Sequence, residues 1–147
     1  MSETPTAVRI LPMSSKDEPI FVGLSAQEVQ HKYFLGELVR PDRPPGKYRY
    51  RTAGLQAQPG TVVLFQYAGG IIASATLNRV VRFEVPDGPY KGALHFDADS
   101  IRVFDPVGSD VITQIWPEFK GFGQAKWSLD PKGYRAFEQK LTSVEEP

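Results

Sequence analysis

Cysteine is absent from the 147 residues, which removes disulfide scaffolds, thiol nucleophiles and thiolate metal sites together. Long apolar runs are missing too. The segment 1–21 contains an apolar run of no more than about four residues, whereas a signal peptide needs roughly 7–15 and a membrane span about 20. The expectation is a cytoplasmic chain with no membrane partner. Charge of one sign is also lacking: 17 Lys and Arg balance 17 Asp and Glu, for a net charge of zero. A protein that coats duplex phosphates by bulk charge is normally basic, so a broad non-specific coat is excluded and a local patch is not. Such a patch is present between residues 32 and 51. Lys32, Arg40, Arg43, Lys47, Arg49 and Arg51 stand there against only Glu37 and Asp42.

Catalytic patterns are missing as well. The two histidines, His31 and His95, make neither a triad nor a metal spacing. Asp97 and Asp99 have i, i+2 spacing but flank the turn-like Ala98, which fits solvated loop acids better than a catalytic pair. No phosphate loop, HExxH, GxSxG or calcium loop occurs. The sequence therefore reads as no enzyme, with no cofactor and no metal.

What is present is turn-forming. Thirteen Gly and thirteen Pro favour many short elements, and the length suits one domain, 1–147, frayed at 1–6 and 143–147. Residues 7–11 (AVRIL) can form a first strand. Ser25 and Glu28 make a capping box, followed by Val29, Tyr33 and Phe34 on a helix expected to stop at Gly36. Residues 41–46 (PDRPPG) must be a loop. Residues 61–67 (TVVLFQY) are the best strand, joined by a Gly69-Gly70 turn to 71–77 (IIASATL). Residues 78–84 continue as a strand or bent extension, closing at 86–88. Residues 94–96, 100–104 and 125–129 are further strand candidates, and 111–115 is apolar with no clear place. Asp130-Pro131 caps a closing helix bearing Tyr134, Phe137 and Leu141 on one face. The class is α+β, a small curved or closed sheet with flanking helices.

The stretch 48–66 (YRYRTAGLQAQPGTVVLFQ), followed by 71–77, resembles the EVE domain of the PUA-like superfamily, to which ASCH and YTH domains also belong. The segment from Lys126 and Trp127 through Pro131, with Tyr134, Phe137 and Leu141, is similar to that family's last strand and closing helix. The tryptophan segment that opens the family's pocket has no counterpart, and residues 42–46 stand in its place; the polar position after the Gly turn is Thr61. The resemblance implies a PUA-like, EVE-like small β-barrel that binds modified or flipped bases. On that reading the partner is a nucleic acid with a modified or unpaired base, DNA favoured over RNA. The chain would then work within a defence or restriction system beside an effector nuclease. An RNA-binding module, or a small-molecule or protein-interaction domain on the same fold, are the alternatives.

A flipped base needs a flat face to replace its lost stacking and partners for its polar edge. Tyr48, Tyr50, Trp116, Phe119, Phe122 and Trp127 are the candidate faces, Arg49 and Arg51 the phosphate holders, and Thr52, Gln66 and Ser74 the edge readers. Each also has a plain structural account. In YRYR both tyrosines share one strand face and both arginines the other. Trp127 can be core, and residues 116–126 (WPEFKGFGQAK) form a candidate loop over the pocket mouth.

Overall fold

The computed structural model describes residues 5–13, 23–38, 46–50, 57–122 and 127–141. Among the described residues seven strands are present: β1 (Val8–Pro12), β2 (Lys47–Tyr50), β3 (Val62–Tyr67), β4 (Gly70–Asp87), β5 (Tyr90–Phe96), β6 (Arg102–Val107) and β7 (Ser128–Leu129). The helices are α1 (Ala26–Val29), which continues as a π-helix (Gln30–Glu37), then α2 (Ser109–Ile115) and α3 (Tyr134–Gln139). The class is α+β, as the composition implies. Among the described residues, no helix is long and apolar enough to cross a membrane.

The strands run in the order β2-β5-β4-β3-β1-β7, with β6 also paired to β4. β1 is parallel to β3, and the other pairs are antiparallel. The expected barrel is not closed: among the described residues, no pairing joins β2 at one end of this path to β7 at the other. The reason lies in β4. Its first half pairs with β3 and β6, and its second half leaves them to pair with β5. A register shift between Leu77 and Arg79 marks the change, and such a shift bends a strand. β4 is thus the strand shared by the two parts of the sheet.

β3 explains its own central position. Val63, Phe65 and Tyr67 enter one apolar cluster while Val62 and Leu64 enter the other, so the strand is buried on both faces and reads as a continuous apolar run. The hairpin to β4 turns at Ala68-Gly69, one residue earlier than the Gly69-Gly70 reading, with φ of 52° and 82°. Positive φ at both central residues is what a tight two-residue hairpin requires. Gly70 is already paired with Tyr67.

Ser25 accepts from Glu28 N at 3.2 Å, and Glu28 accepts from Ser25 N at 3.1 Å, which is the capping box the sequence contains. The helix it starts changes character after one turn. Leu38 N donates to Tyr33 O at 2.7 Å, five residues back, and the coil ends at Glu37 rather than at Gly36. Val29, Gln30, Tyr33, Phe34 and Leu38 are inside together, and the wider π winding brings Leu38 closer to the line of Val29 than a 3.6-residue period would.

Gln30 has a specific task there. The β4–β6 ladder slips between Ile71 and Ala73, opposite Val107 and Val103, so carbonyls at the slip lose their strand partners. The buried Gln30 amide donates to Ile72 O at 2.9 Å and to Phe104 O at 2.5 Å. Unsatisfied buried carbonyls are costly, and one side chain satisfies two.

On the opposite face the sheet is covered by Ile112 of α2, Phe137 of α3, and Trp116 and Phe119 from the segment after α2. Residues 111–115, unplaced from sequence, lie in α2. Their β-branched composition is overridden by the burial of Ile112 and by the preceding Gly108 at the N-cap. Asp130 begins a short 3-10 turn by accepting from Lys132 N at 2.9 Å, and α3 follows with Phe137 buried.

Candidate nucleic-acid interface

The aromatic residues singled out from sequence do not converge on one cage. Tyr48 is buried in the core beneath the π-helix, edge-on to Tyr33 at 6.1 Å and tilted on Phe65 at 5.9 Å. Trp116 is 1% exposed, and its indole N–H donates to Asp130 O at 2.7 Å. That hydrogen bond pins the ring against Phe137, so residue 116 belongs to the second core instead of to a loop over a pocket. Phe119 is buried beside it and carries Phe122 and Trp127, each with ring centroids 5.2 Å from its own. Tyr48 and Tyr50 thus belong with one core, and Trp116, Phe119, Phe122 and Trp127 with the other.

The polar candidates also separate. Ser74 is buried in β4 and hydrogen-bonds Tyr134 of α3. Burial, then the nearby Glu138 charge, raise that phenol above its ordinary value, with Arg102 and the Ser74 bond opposing them. Gln66 is half-buried at the β3 bulge, and its carbonyl accepts from Met13 N at 2.7 Å. Arg51 and Thr52 lie outside the described residues.

What the fold does bring together is the outward face of β2, β5 and the second half of β4. Alternation puts Tyr48, Leu94 and Phe96 on the inner face, so Lys47, Arg49, Lys91 and His95 take the other, on which Ala93 is itself fully buried. The register then aligns them across strands: Lys47 lies opposite His95, and His95 opposite Arg79. The next rung is Arg49, Ala93 and Val81. Two cations rest on rings, with Arg49 4.0 Å from the centroid of Tyr90 and Lys47 5.6 Å from that of Phe83. Such contacts hold a guanidinium or ammonium in place. Of the other basic residues in the 32–51 excess, Lys32 is engaged by Glu28 at 3.7 Å, and Arg40 and Arg43 lie outside the described residues.

Tyr50 ties this face together from behind. Its hydroxyl lies 3.5 Å from Val81 O, so the ring crosses the intervening β5. It can cross because residue 92 is glycine: a Cβ there would collide with the Tyr50 hydroxyl and with Val81 O.

His95 has its pKa lowered, first by burial and then by the charges of Arg79 and Lys47. No carboxylate is among the groups that act on it. Sequence reasoning passed over Arg79 and weighed His95 as an isolated imidazole. The signal that could have found them is the turn at 86–88, which folds His95 back toward the 78–84 strand.

A second concavity of about 200 Å³ is lined by Thr6, Ala7, Arg9, Ala57, Gln58, Thr61 and Ser128. Arg9 Nε donates to Trp127 O at 3.2 Å across it. Thr61 is 0% exposed, and its hydroxyl has no hydrogen-bond partner among the described residues. Among the described residues no group of three His, Asp or Glu could hold a metal ion.

The architecture has solved counterparts. The fold is ASCH-like. The chain is similar to the crystal structure of ASCH from Zymomonas mobilis at a TM-score of 0.56 and 12% identity, covering 94% of this chain and 98% of that one. A tyrosine-to-phenylalanine mutant of the same Zymomonas mobilis protein matches at 0.54 and 11%, over 92% and 99%. No protein-family model and no curated protein matches the sequence. At 11–12% identity the likeness is one of fold.

Proposed function

We propose that the chain is a nucleic-acid-binding module without chemistry of its own, which holds a strand along the outer face of β2, β5 and the second half of β4. The observation that carries this reading is the aligned rung of Lys47, His95 and Arg79, flanked by Arg49 and Lys91. No Asp or Glu occupies positions 79, 81 and 83 of β4 or 91, 93 and 95 of β5, which alternate onto the face of the rung. Lys47 and Arg79 stand on either side of His95, and their charges oppose its protonation; a line of phosphates is the ligand that offsets such repulsion. The net charge of zero fits, because the positive field is local to one face. Phe83, half-buried beneath Lys47, is an aromatic surface beside the phosphate track. In this reading the strand is DNA with an unpaired or modified base, and a nuclease partner supplies any cleavage.

The test is anisotropy of labelled single-stranded and duplex oligonucleotides, DNA and RNA, with and without modified bases, over a salt series. Binding should weaken steeply with salt. Lys47→Gln and Arg79→Gln should each reduce the log–log slope by about one. Absence of binding to every strand at low salt, with the protein folded, overturns the proposal. Preference for RNA overturns the DNA assignment alone.

A further inference from the structure

Resting on that nucleic-acid reading, we infer that Lys47, His95 and Arg79 form a seat for a single phosphate group, and that seating it is coupled to uptake of a proton by His95. The geometry is specific. Three side chains from three adjacent strands share one rung and one face, where cross-strand neighbours lie about 5 Å apart. One oxyanion above the central imidazole can therefore touch all three. Among the described residues no carboxylate pairs with Lys47 or Arg79; the two ion pairs seen are Lys32 with Glu28 and Arg102 with Glu138. The rung is thus a set of uncompensated donors fixed by backbone pairing, and a tetrahedral oxyanion is the complementary shape and charge.

The central position gives the seat its proton dependence. The charged groups facing His95 are Arg79 from β4 and Lys47 from β2, and burial acts with them against the imidazolium. In the free fold the neutral imidazole is favoured. The unfolded chain protonates at its ordinary value near 6.5. This group therefore contributes stability above that pH, lost as pH falls through the lower folded value. A seated phosphate inverts the balance: its negative charge offsets both neighbours and gives the imidazolium a charge-assisted acceptor. Nothing covalent is involved; one proton moves from solvent to the ring as the strand binds.

The chain has only two histidines, so the His95 ring signals can be followed in the whole protein by NMR, with His95→Gln confirming the assignment. The titration midpoint is measured in the free protein, with inorganic pyrophosphate, and with a short oligonucleotide. The expected result is a midpoint that starts below 6.5 and rises by about 0.5–1 unit with either ligand. Oligonucleotide affinity should then be about 3–10-fold tighter at pH 5.5 than the pH-flat His95→Gln variant predicts. If a strand binds while the His95 midpoint stays put and affinity is indifferent to pH, the seat is refuted and the nucleic-acid reading stands. If pyrophosphate raises the midpoint but no strand binds, the seat stands and the nucleic-acid reading falls. No shift with either ligand removes both.

Discussion

The two halves of β4 are one continuous strand in opposite surroundings. From Gly70 to Leu77 every residue except Thr76 is buried. From Asn78 to Asp87 none is, with Val80 37% and Val85 80% exposed. The first half is held by side chains from two cores and the second almost wholly by its ladder with β5. The lesson is a division of labour along a single element. The inner half fixes the fold, and the outer half is free to carry charge that no core would accept.

Substitutions can sharpen or break that contrast. Ile72→Ala removes a fully buried side chain from the inner half and should lower unfolding free energy by about 2–5 kcal/mol. Val85→Ala in the outer half should change it by less than about 0.5 kcal/mol. Equal losses in denaturant melts would end the division. Thr61→Val replaces an unpartnered buried hydroxyl with a methyl and should raise stability by about 1 kcal/mol; a loss of stability would show that the hydroxyl has a partner in solution. The smallest effect belongs to Arg79→Gln, within about 0.5 kcal/mol and in the stabilising direction at low salt. A clear destabilisation would mean that the rung is structural and not a binding feature.

The parts of the fold legible in the sequence are those where local and tertiary preferences agree. The TVVLFQY run, the Ser25 and Glu28 capping box and the Asp130-Pro131 start each announce the element they make. Where tertiary packing overrode local preference, reading failed. Residues 111–115, apolar and β-branched with no clear place in the sequence, form α2, and the helix after Val29 widens beside a slipped ladder that no local pattern encodes. Trp116 before a proline reads as a loop aromatic until Asp130 O accepts its N–H from across the chain. Of the candidate site, only the basic excess was visible in the sequence. The rung requires β2, β4 and β5 in one register, including the shift after Leu77. Two of its three members come from outside the stretch where that excess was counted.

Gln30 has a consequence for how this sequence can change. Its amide is shared between a β4 carbonyl and a β6 carbonyl at a slipped ladder, and it arrives there on a π-wound turn. A Gln30→Leu chain would leave both carbonyls bare, while a chain with a regular β4–β6 ladder would have no acceptors for the amide. Either change alone carries the cost of buried polar groups left unpaired, so their effects on stability are non-additive in the way contacting sites are. Position 30 and the β6 slip thus form one coupled pair, to be varied together in a double-mutant cycle.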